Sequence, residues 1–221
     1  MRVMSVKSLI AVLVFSMIRM NAAGLNISLV LREALAVLAS GGIVAYPTET
    51  FYGLGVKYDM EDSLESLYVI KKRPREKAMP LIIGNRALLS SLTDSVSTAA
   101  ESLIERFWPG PLTLLFRARE GLSHFITAGT GKVAVRIPGK SFALDLAKTA
   151  GFPITATSAN PSGLPPARDA ETVAEYFGTR IDLIIDTGPT AGTLPSTIVD
   201  TEAGIEIVRE GVIRKEALLA R

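Results

Sequence analysis

The chain has 221 residues, 48% hydrophobic and 21% charged, with 24 basic and 22 acidic side chains for a formal net charge of +2. That composition excludes a disordered chain and favours one domain of generous size, while the near-balance of charge offers no global field to nucleic acid or an acidic membrane. It holds no cysteine and a single histidine, His124, which excludes disulfides, cysteine-ligated zinc, iron–sulfur clusters, thiol nucleophiles and any site that needs two imidazoles.

In chain order, the first feature is an apolar run of 11 residues, Ser8 to Ile18, behind Lys7 and ahead of Arg19, Met20, Ala22 and Ala23. It is shorter than the ~20 residues of a membrane-spanning helix. Three readings stand: a signal-like segment, a structural extension, or a start codon upstream of a true start at Met20. Residues 1–20 are therefore set apart as an extension, and 21–221 as one folded domain.

Apolar positions Val30, Leu31, Ala34, Leu35 and Leu38 recur at helical spacing, predicting a helix over Leu29–Ala39 with Ser28 as its cap and Gly41 past its end. Short apolar runs predict strands at Ile43–Tyr46, Pro80–Ile83, Leu112–Phe116, Val133–Ile137, Ile154–Thr157, Leu183–Ile185, Thr197–Val199 and Ile205–Val208. Helical patterns sit between several of them, at Leu64–Lys71, Thr98–Phe107, Phe142–Thr149 and Ala170–Phe177. The alternation predicts an α/β fold, a single twisted mixed sheet flanked by helices.

Polar clusters recur where strands run into proline or glycine, and in open α/β sheets such strand ends face the ligand crevice. The first is Tyr46-Pro47-Thr48-Glu49-Thr50-Phe51-Tyr52-Gly53-Leu54-Gly55. Pro47 ends the strand, Thr48 sits at the crevice mouth, and the glycines admit a close approach by ligand or neighbouring chain. The alternative is a turn whose hydroxyls satisfy its own backbone.

The second cluster, Lys71 to Lys77, carries five basic residues and one acid. Pro74 disfavours helix at Arg73, so the helix stops there; in extended chain Lys71 and Arg73 then point the same way. A lysine point charge beside an arginine fork suits a polyphosphate. A solvated helix end or a nucleic-acid patch is the competing reading.

The third, Thr155 to Gly163, sets Ser158 and Asn160 on one side if the strand continues, offering a hydroxyl and an amide to a nucleotide; a polar turn before Pro161 is the alternative. Arg168 follows, just ahead of a helix. The fourth comprises Arg136, Ser196 and Arg209, each among strand-type apolar residues. A buried arginine must meet a phosphate or a carboxylate, whether a ligand's or the protein's own. His124 has no Gly-x-Ser-x-Gly elbow to serve and reads as a bystander. Trp108-Pro109-Gly110-Pro111 reads as a structural turn.

Taken in order, these segments resemble the YrdC-type threonylcarbamoyl-AMP synthase family in its short, single-domain form, from about Leu29 to Gly211. Lys71 and Arg73 match its Lys-x-Arg signature, and Ser158 and Asn160 its Ser-x-Asn signature. The Pro-Thr-Glu-Thr turn, the Trp-Pro-Gly-Pro-Leu-Thr segment, the Val-Arg-x-Pro strand and the Ser-Thr-x-x-Asp strand fall in register. The resemblance implies a nucleotidyltransferase that joins L-threonine, bicarbonate and ATP into threonylcarbamoyl-AMP with release of pyrophosphate. The product serves tRNA threonylcarbamoyladenosine modification in the cytoplasm, where separate proteins perform the transfer.

By the same resemblance, Lys71, Arg73, Ser158 and Asn160 are the catalytic set. Together with Arg75, Arg168 and Arg209 they hold ATP, while Thr48, Arg136 and Ser196 hold threonine, with Arg136 on its carboxylate. The implied ligand face is concave and basic, a face that also admits tRNA or double-stranded RNA. Mg2+ is expected to arrive on the triphosphate, with no protein-built metal site. Two other functions compete: a non-catalytic RNA-binding module, and a carbamoyl-adenylate former that uses another acceptor.

Overall fold

The computed structural model describes residues 17–22 and 26–220; most of the apolar extension, residues 1–16, lies outside the described residues. Eleven strands and seven α-helices follow one another as β1 (Ile18–Asn21), α1 (Ile27–Ala39), β2 (Val44–Pro47), β3 (Tyr52–Gly55), α2 (Glu61–Lys71) and β4 (Leu81–Ile82) among the described residues. Then come α3 (Thr98–Phe107), β5 (Leu112–Arg117), α4 (His124–Thr127), β6 (Lys132–Arg136), α5 (Phe142–Ala150), β7 (Ile154–Thr155) and β8 (Thr157–Ser158). The last elements are α6 (Ala170–Phe177), β9 (Leu183–Asp186), β10 (Thr197–Asp200), β11 (Glu206–Arg209) and α7 (Lys215–Leu219).

The α/β class is as expected, but the strands divide into two mixed sheets. The first has the order β1-β9-β2-β3-β8 and the second β11-β10-β5-β6-β4-β7. The expected strand over Ile154–Thr157 is the hinge between them. Its first half, β7, pairs with β4 in the second sheet, and its second half, β8, pairs with β3 in the first. A chain that changes sheets within five residues ties one edge of each sheet to the other.

Period-two alternation along β2 explains how the interior divides. Ile43 and Ala45 join a large core that also takes Leu54, Leu81, Leu114, Val133 and Val135, while Val44 and Tyr46 point the other way. There they meet Val30, Ala34 and Leu38 of α1 and Phe142, Leu146 and Ala147 of α5. A strand buried on both faces reads as a continuous apolar run, which is why Ile43–Tyr46 is legible as one.

Three local features differ from expectation. Asn26, two residues earlier than Ser28, caps α1, its side-chain oxygen accepting from the Ser28 amide at 2.9 Å. β1 is an added edge strand, parallel to β9, with Arg19 bonded to Asp186 and Glu171, each at 2.8 Å. β3 forms in the second half of the first polar cluster, where no strand was expected. Its glycines lie under the Tyr46 ring, since a Cβ at Gly55 would sit 2.6 Å from Tyr46 Cε1 and 2.7 Å from Ile154 Cγ2. The close approach these glycines permit is to the protein's own tyrosine. Fully buried Tyr46 donates its hydroxyl to the Thr155 carbonyl at 2.6 Å, so its burial leaves no polar atom unmet.

Candidate functional site

Helix α2 ends in a way that places both members of the Lys-x-Arg pair. Lys72 adopts the left-handed conformation at φ 49°, its amide donates to Val69 O at 3.0 Å, and the Arg73 amide donates to Tyr68 O at 3.0 Å. This is a Schellman cap built on lysine where glycine is usual. Lys71 and Arg73 therefore stand on either side of a left-handed residue, not along the extended chain that Pro74 led us to expect.

Lys71 is 2% exposed, and its ammonium donates to the carbonyls of Asn160, at 2.6 Å, and Ser158. Those two residues form a turn, with the Asn160 amide on Ser158 O at 2.9 Å, so no continuing strand aligns them. The Ser158 hydroxyl donates to Asn160 Oδ1 at 2.6 Å, and Asn160 Nδ2 donates to Leu164 O at 2.6 Å. Arg73 reaches the carbonyls of Lys77 and Ala78 at 3.0 and 2.6 Å.

Across the second sheet, register sets out the remaining cations. Arg209 is level with Ile198, Ile198 with Thr113, and the pair Leu114–Val135 puts Thr113 level with Arg136. Residues level across a sheet share a face, and three strand steps span about 14 Å. Ser196, two residues before Ile198, joins them: its hydroxyl lies 2.9 Å from Thr113 Oγ1, and Arg209 Nη2 donates to its carbonyl at 2.8 Å.

Arg136 closes the row against the first sheet. Its Nη1 meets Glu49 Oε1 at 2.7 Å, with the two side chains 8% and 17% exposed. Glu49 rides the turn after β2, which Thr48 holds in shape. The Thr48 hydroxyl donates to Phe51 O at 2.7 Å and accepts from the amides of Thr50 at 3.0 Å and Phe51 at 3.2 Å. With that one proton used, the 2.9 Å contact to Thr50 Oγ1 is donated by Thr50. Thr48 thus satisfies its own turn.

Two glycines press the surrounding loops together. A Cβ at Gly192 would lie 2.2 Å from Thr50 O, and one at Gly211 would lie 2.1 Å from Pro195 O. Neither position has room for any other residue.

The charges act on one another. Burial first, then the positive charge of Arg73, lowers the Lys71 ammonium from 10.5 to about 7, even though two carbonyls accept from it. Arg209, at the exposed rim, is lowered by partial burial and then by Arg136 and Arg73. Arg73 thus acts on both Lys71 and Arg209, and Arg136 acts on Arg209, so the four cations are neighbours; the Ser158–Asn160 turn meets Lys71, Ser196 meets Arg209, and the Thr48 turn carries Glu49 to Arg136.

Arg75 and Arg168 do not join this group. Arg75 pairs with Glu65 at 3.1 Å and lies over the Phe125 ring at 4.9 Å. Arg168 is exposed and donates to Thr190 O at 3.3 Å, steadying the loop that contains Gly192. His124 is exposed at the start of α4, and Trp108 donates its indole N–H to Leu112 O at 2.7 Å. Glu49 and Thr113 are the site residues that sequence reading missed. The signal for Glu49 was its place in the Pro-Thr-Glu-Thr turn, and that for Thr113 its place at the end of the Trp-Pro-Gly-Pro-Leu-Thr segment. Among the described residues no group of three or more His, Asp or Glu could hold a metal ion. None of their helices is long and apolar enough to cross a membrane.

A family model for Sua5, YciO and YrdC proteins, described as telomere recombination, matches residues 36–211. A threonylcarbamoyl-AMP synthase of Bacillus subtilis strain 168 is 39% identical over 190 residues, covering 85% of this chain and 55% of the relative. Another, of Cellvibrio japonicus strain Ueda107, is 35% identical over 176 residues, covering 80% of this chain and 93% of that one. The chain thus spans little more than half the length of the Bacillus protein and nearly all of the Cellvibrio one. Among solved structures, Pyrococcus abyssi Sua5 complexed with L-threonine superposes with a TM-score of 0.86 at 36% identity, over 91% of this chain and 59% of that one.

Proposed function

Since the chain belongs to the Sua5/YciO/YrdC family, we propose that it is a threonylcarbamoyl-AMP synthase, a nucleotidyltransferase that makes threonylcarbamoyl-AMP and pyrophosphate from L-threonine, bicarbonate and ATP. The observation that carries this reading is the cluster of Lys71, Arg73 and Arg209. Among the described residues their hydrogen-bond partners are oxygens of carbonyls and hydroxyls, and the full charges acting on Lys71 and Arg209 are arginines. Positive charge held this way, with no carboxylate beside it, favours a polyanion.

The triphosphate lies against Lys71, Arg73 and Arg209, with the Ser158–Asn160 turn beneath it. The amino acid lies at Arg136 and Ser196, with Thr48 shaping the adjoining turn. Its ammonium gives up a proton, the neutral amine takes up CO2 supplied by bicarbonate with loss of a second proton, the resulting N-carboxylate attacks the α-phosphorus of ATP, and pyrophosphate leaves. The chain supplies positioning and cations that stabilise charge on the phosphates, and no side-chain nucleophile is needed. Mg2+ comes as the counter-ion of ATP, held by phosphate oxygens and water.

The product passes in the cytoplasm to proteins that modify tRNA. Incubation with ATP, magnesium, bicarbonate and isotope-labelled threonine, followed by mass detection of the adenylate, tests the reading. Threonine-dependent pyrophosphate release with a labelled adenylate is the expected result. Release independent of threonine, or none, overturns it.

A further inference from the structure

Glu49 is half-satisfied. Its Oε1 accepts from Arg136, while its Oε2 is buried with no hydrogen-bond partner, the one such side-chain atom among the described residues. A buried acceptor without a donor costs on the order of 1–3 kcal/mol, more when charged, so this oxygen calls for a donor from outside the chain. Gly139 leaves the room that the Glu49 side chain occupies. A Cβ at Gly139 would stand 3.3 Å from Glu49 Cγ and 3.4 Å from Cδ, tighter than side chains ordinarily pack.

An α-amino acid presents a carboxylate and an ammonium on neighbouring atoms, and Arg136 with Glu49 presents the complementary charges side by side. Arginine carries five N–H donors, so a guanidinium that gives Nη1 to Glu49 is able to serve a second carboxylate as well. Arg136 alone would accept any carboxylic acid. Resting on the threonine reading above, we propose that Glu49 is the receptor for the α-ammonium of the amino-acid substrate, Oε2 accepting from it. Glu49 is then the residue that distinguishes an amino acid from a hydroxy acid of the same shape.

Calorimetry with L-threonine, and with its hydroxy-acid analogue in which a hydroxyl replaces the amine, tests this on the whole chain. Wild-type protein is expected to prefer threonine by about tenfold or more, as befits a charge-assisted contact. Glu49→Gln keeps an oxygen for Arg136 but replaces the other acceptor with a donor. It is expected to lose threonine affinity on the order of ten- to a hundredfold, with the analogue changed by no more than about twofold and ATP affinity unchanged.

A Glu49→Gln protein that keeps the wild-type preference overturns the proposal. So does wild-type protein that binds both compounds equally, a result that needs no variant to fold. Wild-type protein that binds neither overturns the threonine reading itself, and the inference with it.

Discussion

The two ends of the site handle buried charge in opposite ways. At one end Arg136 has a carboxylate, Glu49, at 2.7 Å, so most of its charge is answered within the protein. At the other, Lys71 is equally inaccessible and has only carbonyl dipoles, with a second cation, Arg73, near enough to depress it. A pair answered from within suits a zwitterion, whose net charge is zero and whose arrival need not alter the balance. A cluster left positive suits a ligand that brings several negative charges of its own. On the proposed function, the difference divides the candidate site into an amino-acid end and a phosphate end.

The largest expected effect follows from breaking the answered pair. Arg136→Ala leaves Glu49 buried without its counter-charge, at a cost of ~3–5 kcal/mol in stability. Denaturant unfolding should show that loss, and a double variant that also replaces Glu49 with alanine should regain most of it. In a folded preparation, the threonine requirement should rise while ATP affinity is spared. Equal loss for both ligands by calorimetry would contradict the division into two ends.

Next in size are Lys71→Ala and Arg73→Ala, each expected to weaken ATP use by ~1–3 kcal/mol in a pyrophosphate-release assay, the range for a lost charge-assisted contact. Wild-type turnover in both would refute the phosphate assignment. Unlike Arg136→Ala, neither should alter threonine affinity.

These two ends were not equally legible. Each half of the phosphate end is local in sequence, with Lys71 and Arg73 two residues apart and Ser158 and Asn160 likewise, although the Lys71–Ser158 contact that joins the halves spans 87 positions. Helices with clear signals at both ends were also readable, such as α3 behind its Ser97 cap and α6 behind Asp169, each matching its predicted span. The amino-acid end depends on Glu49 meeting Arg136 across 87 positions and across two sheets, which no periodicity encodes. Glycine was legible only in part. Gly53 and Gly55 read as allowing close approach by a ligand or a neighbouring chain, and the group that comes close, the ring of Tyr46, arrives by tertiary packing. The partner of β1 lies some 160 residues further on, and its burial pattern offers no alternation to find.

A smaller effect sharpens the contrast through protons. The folded-state value of Lys71, about 7, lies below its ordinary 10.5. Between those values the unfolded chain holds a proton that the folded one has released, so this group's contribution to stability rises as pH goes from 7 towards 10 and is least favourable below 7. A triphosphate against Lys71 restores the ammonium. At pH 8, ATP binding should therefore take up as much as about one proton, seen as a heat that differs between buffers of unlike ionisation enthalpy. Threonine binding at the answered pair should show no such uptake, and Lys71→Ala should remove it from ATP binding.

The smallest effect is expected at Arg75, the basic residue that the sequence grouped with the phosphate ligands. Its side chain is 48% exposed and pairs with Glu65 while stacking on Phe125. An exposed ion pair contributes ~0–1 kcal/mol and an exposed cation–π contact ~0.5–1 kcal/mol. Arg75→Ala should lower the melting temperature by a few degrees at most and leave ATP affinity as it was. If it weakens ATP as much as Lys71→Ala does, the phosphate end extends past the Schellman turn to the Tyr68–Phe125 surface, and its boundary must be redrawn there.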